Sequence, residues 1–475
     1  MDKFYITTSI VYTNGPPHIG FTLELIQADV IARFYRQKKK EVFFLTGADE
    51  HGSKIEKKAK ESEKSPQAFV DEITKEYKKL IKELDISNDD FIRTTDQKKH
   101  WPSVRKIWEK LEEKGDIYKK EYKGLYCTGC EAFLKKEELQ NGKCLYHDRK
   151  PEEVKEENYF FRLSRYQRQI EDAIKEEKVL VIPQERKAET LSFIRKGLED
   201  ISITRSRESL NWGIPVPGDA TQVLYVWLDA LSNYISALNY AEEGEDFKRF
   251  WPADVHCIGK DILRFHSIMW IGMLLSAEIS LPKKILVHGF INVEGRKMSK
   301  TLGNVIDPFD LVYRYGAEPV RYFFLREVPA TKDGDFSEKR MRERYNTDLA
   351  DGLGNLVSRT IALARKKKVG SAASDDIKMK VEEIRKESSA FLEEFKFNEA
   401  LNSVWKLIHF ADGYVEEKKP WEDKEDSTQV IQNLLFILSS LSEMLYPFLP
   451  NTSEKIKKQI SQKEKETLFP KISDY

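Results

Sequence analysis

Apolar positions recur first at strand spacing and then at helical spacing along the opening of the chain. Residues 4–12 (FYITTSIVY) are β-branched and aromatic, and predict a strand. Asn14-Gly15-Pro16-Pro17 interrupts it. Over 21–39, Leu23, Ile26, Val30 and Phe34 follow one another at steps of three and four, which predicts an amphipathic helix. Residues 41–45 predict a second strand, running into Thr46-Gly47-Ala48-Asp49. Strand, turn, helix, strand is a βαβ unit, so the expected fold class is α/β with a doubly wound, Rossmann-like parallel sheet. The pattern changes near 121–131, and the charged, mixed stretch as far as Trp212 reads as an insertion. Strand-like and helical runs resume at 222–234, 256–275 and 284–293. From Arg340 the pattern is helical, with Leu349, Leu353, Leu356, Val357 and Ile361 on one face. A charged linker is expected over 366–380, with helices continuing to about 458.

Composition narrows the function classes. At 475 residues and 55.5 kDa the chain has room for about two to four domains. Lys+Arg and Asp+Glu both number 79, which excludes a uniformly basic nucleic-acid coat while leaving local basic patches open. The most apolar stretches, 262–280 and 433–450, carry Arg264, His266, Glu278 and Glu443, so no membrane-spanning helix is expected. Met1-Asp2-Lys3 leads straight into a strand-like run, without the apolar core of a secretory leader. Four cysteines in a chain this long are no disulfide framework, and a reducing, cytoplasmic location is expected.

Three patterns carry candidate chemistry. Pro17-His18-Ile19-Gly20 lies between the first strand and the first helix, where open α/β sheets bind ligands. The helix N-terminus suits phosphate, His18 adds a donor and Gly20 permits close approach, although alone the motif is equally an ordinary turn with a surface histidine. Lys297-Met298-Ser299-Lys300-Thr301 follows Gly295, and its two lysines suit a triphosphate or simply form a solvated basic loop. Cys127-x2-Cys130 and Cys144-x2-His147 supply three sulfurs and one nitrogen in paired knuckles, the pattern of a closed structural zinc site. Cys257, in a strand-like run, reads as a buried apolar residue.

Taken together and in this order, the His18 and Lys297 motifs resemble the HIGH and KMSKS signatures of the class I aminoacyl-tRNA synthetases. Ile10-Val11-Tyr12, Gly47-Ala48-Asp49-Glu50-His51-Gly52, Trp227-Leu228-Asp229-Ala230, Ile258-Gly259-Lys260-Asp261 and Phe265-His266-Ser267 before Trp270 narrow the resemblance to the methionyl-tRNA synthetase family. It covers nearly the whole chain, from Phe4 to about Pro450. It implies a methionine pocket of Ile10, Tyr12, Asp49, Trp227, Ala230, Tyr234, Ile262, Phe265, His266 and Trp270. Aromatic faces suit a thioether, and Asp49 suits the substrate ammonium. By the same resemblance His18, Gly20, Gly259, Asp261, Lys297 and Lys300 hold ATP with Mg2+, Asp261 lying on the ribose. The fourth HIGH position is Phe21 instead of histidine, so one phosphate donor is missing or comes from elsewhere, and Thr301 replaces the usual serine. Asn355 and Arg359, with Pro420 and Trp421, match the family's anticodon readers. Residues 340–368 hold eight basic and three acidic side chains, a stretch suited to phosphates or to a solvated helix face.

The resemblance implies a ligase that activates methionine with ATP and transfers it to tRNA(Met) for initiation and elongation. Other class I members fit less well. An editing domain has little room in an insertion of roughly 97 residues that also carries the cysteine knuckles, and no cysteine precedes His18 as cysteinyl members require. A silent RNA-binding module is favoured only by Phe21, and charge neutrality disfavours a zinc-finger DNA binder. The organisation expected is a first catalytic half at 1–115, a zinc-bearing connective insertion at 116–212, and a second catalytic half at 213–293. A KMSKS loop and linking fold at 294–345 and an α-helical anticodon domain at 346–475 follow. No appended dimerisation domain is visible, so a monomer is expected, with neither DNA nor membrane as partner.

Overall fold

The computed structural model describes residues 2–129, 132–134, 139–145, 148–298, 303–365, 372–422 and 426–473, side chains excepted at 122, 132 and 133. The chain divides into two compact units. The first comprises Met1–Pro17, Lys39–Lys79 and Ser87–His288. The second comprises His18–Lys38, Leu80–Ile86 and Gly289–Tyr475.

The first unit is built on a seven-stranded sheet. Its N-terminal strands are β1 (Lys3–Thr8), β2 (Val11–Tyr12), β3 (Glu41–Asp49) and β4 (Asp90–Arg93). In order across the sheet, Leu180–Ile182, Lys284–His288, Val255–Gly259, β1 and β3 pair parallel, and β2 and β4 also pair parallel with β3. The parallel sheet expected from the βαβ pattern is present. The single strand expected over 4–12 is two. Thr7 pairs with Leu45 but Val11 pairs with Ala48, so four steps on one strand oppose three on the other. The extra residue is accommodated as a bulge around Ser9 and Ile10, which turns the side chains that follow. Gly47 lies opposite. A Cβ there would stand 2.3 Å from the Ile92 carbonyl oxygen and 2.9 Å from Ile10 Cγ2. Glycine is therefore what lets β3 run on past Leu45 to Asp49.

The stretch read as one insertion is interrupted. Ile117–Cys127 and Glu152–Phe161 form a long antiparallel pair, flanked by Ala132–Leu134 and Ile201–Ser202. Leu180–Ile182, between them in sequence, belongs to the parallel sheet instead. The alternation of Val179, Val181 and their neighbours is too short to distinguish a core strand from a peripheral one. One continuous core, from Tyr5 through Trp108, Phe161, Tyr234 and Trp270 to Val287, unites this unit. Cys257 is buried within Val255–Gly259, as expected.

The second unit holds α1 (Ile19–Gln37) and the helices from Pro308 to Gln462. Helix α1 starts two residues before the expected position because His18 caps it, Nδ1 accepting from the Gly20 N–H at 3.2 Å. Leu349, Leu353, Leu356, Val357 and Ile361 are all buried, as their periodicity predicts. The expected linker over 366–380 is shorter at its C-terminal end, since a helix begins at Asp375 with two aspartates in its first turn; 366–371 lie outside the described residues. Among the described residues no helix is long and apolar enough to cross a membrane.

The bulge yields a stability prediction. Gly47→Ala should destabilise the first unit by about 1–3 kcal/mol through overpacking against a carbonyl that cannot rotate away. A melting temperature equal to wild type would show that the strands adjust freely at this point.

Candidate active site and anticodon-reading surface

The candidate methionine residues all lie within the first unit, some beyond the carboxyl ends of parallel strands and Trp227, Ala230 and Tyr234 just after an antiparallel strand, Asp219–Leu224. Tyr12 on β2 pairs with Asp49 at the end of β3, and Asp49 is 8% exposed. Val226–Leu231 places Trp227 at partial exposure, and the short helix Asn233–Ser236 buries Tyr234. A π-helical stretch, Phe265–Trp270, brings its first ring against Trp227. The wider winding of a π-helix is a recurrent feature of ligand sites. Trp227 and Phe265 stack with ring centroids 3.7 Å apart and planes inclined by 6°. Ile10, Trp227, Ile262 and Phe265 are partly buried against the core, while Ala230, His266 and Trp270 are buried in it.

A polar pair is set into this aromatic wall. Tyr234 Oη lies 2.7 Å from His266 Nε2, and His266 Nδ1 lies 3.0 Å from the Ile262 carbonyl oxygen. A carbonyl only accepts, so the His266 proton sits on Nδ1 and the Tyr234 hydroxyl donates to Nε2. Burial pushes the His266 imidazole down to about 4, despite the Ile262 carbonyl, which favours the protonated ring. Burial also holds His256, whose ring lies 4.2 Å from that of Tyr234, well below its usual value. The wall is therefore uncharged near neutral pH, as suits an apolar side chain.

The candidate nucleotide residues fall in both units. In the first, Gly259 ends a parallel strand, and a Cβ there would come 2.7 Å from Asp261 Oδ1, so a side chain would push that carboxylate aside. In the second, His18 caps α1 with Nδ1, which leaves Nε2 as the donating nitrogen of the ring. Phe21 is buried in the same helix. Lys297 ends a hairpin formed by Ile291–Val293 and Arg296–Lys297. Glu294 and Gly295 make its two-residue turn with φ of 52° and 72°, the left-handed pair of a type I′ turn. Lys300 lies outside the described residues.

Asn355, exposed, begins the helix Asn355–Arg365, and Arg359 follows one turn later. The Arg359 guanidinium lies 6.0 Å from the Trp421 ring centroid and 2.6 Å from Glu416. Pro420 is buried, and Trp421 is 49% exposed. The basic stretch is less free than its composition implies. Arg340 and Arg344 both pair with Glu327, and Arg344 also reaches Asp348 at 3.0 Å. Cys127 and Cys144 are buried and not in a disulfide, whereas Cys130 and His147 lie outside the described residues. Among the described residues no group of three metal-ligating side chains is gathered.

The family of class I tRNA synthetases (M) matches residues 4–138 and 134–361, and the anticodon-binding domain of tRNA ligases matches 376–473. The methionine–tRNA ligase of Clostridium perfringens is 46% identical over 97% of this chain and 73% of its own length. That of Rickettsia bellii is 39% identical over 99% of this chain and 95% of its own. The chain belongs to the methionyl-tRNA synthetases. Among solved structures, Mycobacterium tuberculosis methionyl-tRNA synthetase in complex with methionyl-adenylate superposes with a TM-score of 0.91 at 33% identity, covering 100% of this chain and 99% of that one. The activity is that of a methionine–tRNA ligase using ATP, on a parallel-sheet α/β fold with a C-terminal helical anticodon-binding domain.

Several polar residues around the methionyl-tRNA synthetase pocket escaped the sequence reading. Glu50 is fully buried and accepts from Thr74, Thr95 and Arg93, the last at 2.8 Å. His51 and His100 both reach Asp229, at 2.6 and 2.7 Å. Glu50, His51 and Asp229 stand inside motifs quoted for the resemblance, but their partners are distant in sequence. His100 carries no local signal at all.

The neutral His266 sets a pH dependence. Its folded value is depressed, so its contribution is fully present above the unfolded value near 6.5 and is lost as pH falls toward 4. Between pH 7 and pH 5 the wild type should lose about 2 kcal/mol more stability than His266→Gln, measured by urea unfolding. Equal losses would mean that the His266 imidazole takes up its proton in the folded protein as readily as in the unfolded chain.

Proposed function

We propose that the pocket lined by Trp227, Phe265, Tyr234 and His266 takes the methionine thioether, with Asp49 pairing to its ammonium. The observation that carries this reading is the Trp227–Phe265 stack beside a neutral tyrosine–histidine pair, all on the unit that presents Asp49. Polarisable sulfur packs well on aromatic faces, and an uncharged wall excludes charged side chains. Ile10, Tyr12, Ala230, Ile262 and Trp270 complete the pocket. The complex of the Mycobacterium tuberculosis relative with methionyl-adenylate supports an adenylate as the intermediate.

ATP is held by His18 and Gly20 at the α1 N-terminus, by Gly259 and Asp261, and by Lys297 and Lys300. The methionine carboxylate attacks the α-phosphorus in line, the bond to the β-phosphate breaks and pyrophosphate leaves. The 3′-terminal adenosine hydroxyl of tRNA(Met) then attacks the adenylate carbonyl, forming the ester and releasing AMP. His18 donates from Nε2, and the two lysines stabilise charge on the departing pyrophosphate. Mg2+ carried with ATP neutralises phosphate charge. Neither step requires a protein nucleophile; positioning and electrostatics suffice. The chain works in the cytoplasm in initiation and elongation. Its segments are 1–115 and 213–293 for catalysis, 116–212 for the insertion, 294–345 for linkage and 346–475 for the anticodon.

Buried, unoxidised Cys127 and Cys144 fit a thiolate-rich zinc site, Cys130 and His147 completing four ligands. Zn2+ held by these four residues would cross-link the insertion. Cys144→Ala should therefore lower zinc content from one per chain towards zero, by metal analysis; unchanged stoichiometry excludes the ligand set.

Trp421 stacks on an anticodon base of CAU, with Asn355 and Arg359 bonding nearby. A crossed experiment separates the two halves of the reading. Trp421→Ala should weaken aminoacylation about fivefold to 150-fold while sparing ATP–pyrophosphate exchange. Trp227→Ala should raise the methionine KM in exchange by about 10- to 100-fold with the ATP KM unchanged. Loss of exchange and melting temperature together in Trp421→Ala would mark that residue as packing.

A further inference from the structure

Asp229 is fully buried, yet it is flanked by two imidazoles and no lysine or arginine. His51 Nδ1 lies 2.6 Å from Asp229 Oδ2, and His100 Nε2 lies 2.7 Å from Oδ1. A carboxylate accepts, so both rings donate. His100 Nδ1 is also 2.7 Å from Ser236 Oγ. Burial is the largest influence on Asp229 and would raise it, but His51 and His100 together hold it below the usual carboxylate value. The three side chains come from different parts of the first unit. His51 stands two residues beyond Asp49, His100 immediately precedes the helix Trp101–Glu113, and Asp229 lies in Val226–Leu231 between Trp227 and Ala230. Ser236 closes the short helix that bears Tyr234.

We propose that Asp229, held by His51 and His100, is a positioning residue that fixes the distance between Asp49 and the aromatic pocket. The inference rests on the reading that Asp49 takes the ammonium and the Trp227–Tyr234 segment takes the side chain. The connection is short. From Asp49 two backbone steps reach His51, one hydrogen bond reaches Asp229, one further step reaches Ala230 and two reach Trp227. Glu50 anchors the same strand end on its other side, through Arg93, Thr74 and Thr95. The segment 49–51 is thus fixed through the side chains of Glu50 and His51. A ligand bridging both subsites depends on their spacing; a ligand using one does not.

The test compares methionine with 4-methylthiobutyrate, which keeps the thioether and lacks the ammonium. Four variants are needed. His51→Leu removes the donor, His51→Asn keeps an N–H near the Nδ1 position, Asp229→Asn removes the charge, and Asp49→Asn controls the underlying reading. His51→Leu and Asp229→Asn should raise the methionine KM in ATP–pyrophosphate exchange by about 10- to 100-fold. The ATP KM and the inhibition constant of 4-methylthiobutyrate should move less than about threefold. His51→Asn should restore the methionine KM to within about fivefold of wild type. If Asp229→Asn does not fold, the His51 pair decides alone. Equal weakening of methionine and 4-methylthiobutyrate, or no rescue by asparagine, overturns the inference. An unchanged methionine KM in Asp49→Asn would instead overturn the pocket reading beneath it.

Discussion

The carboxyl end of β3 is the constraint on which the proposed methionine site depends. Asp49, its last residue, and the two that follow have separate tasks. In the proposed reading Asp49 takes the substrate ammonium, while Glu50 enters a buried hydrogen-bond cluster with Arg93 and His51 meets Asp229. β3 ends at Asp49, and the chain running on from it carries Glu50 and His51 into these separate contacts. That geometry persists only because β3 continues past Leu45, between β1 and β2 on one edge and β4 on the other. Gly47 makes the continuation possible, since any side chain would collide with the Ile92 carbonyl.

Around this strand end the electrostatics divide by depth and partner. Histidines that face only aromatic and neutral polar neighbours, His256 and His266, are driven to their uncharged forms. Asp229, equally deep, stays ionised because two ring N–H groups face it. Uncharged histidines and an ionised carboxylate therefore coexist in one core. A charge left without donors at either place would carry a desolvation penalty of several kcal/mol.

Much of this was legible in the chain itself. The βαβ order, the helical periodicity from Leu349 to Ile361 and the burial of Cys257 follow from spacing and residue type. The bulge at Ser9 and Ile10 was not legible, because β-branched residues continue through it and only pairing with β3 reveals the slipped register. Leu180–Ile182 was hidden for a similar reason: a three-residue strand has no period, and its partner Lys284–His288 lies about a hundred residues away. The site shows the same divide. Residues within short motifs could be named, whereas His100 acquires its role only from contact with Asp229. The basic character of 340–368 was overestimated because Glu327, outside that window, pairs with Arg340 and Arg344.

The central claim is that an uncharged aromatic pocket beside Asp49 selects methionine. ATP–pyrophosphate exchange with each of the twenty amino acids at equal concentration tests it most directly. Methionine alone should drive exchange strongly, with norleucine, its isostere lacking sulfur, following only at much higher concentration. Exchange supported equally well by leucine, or by any charged or hydroxylated amino acid, would contradict the account.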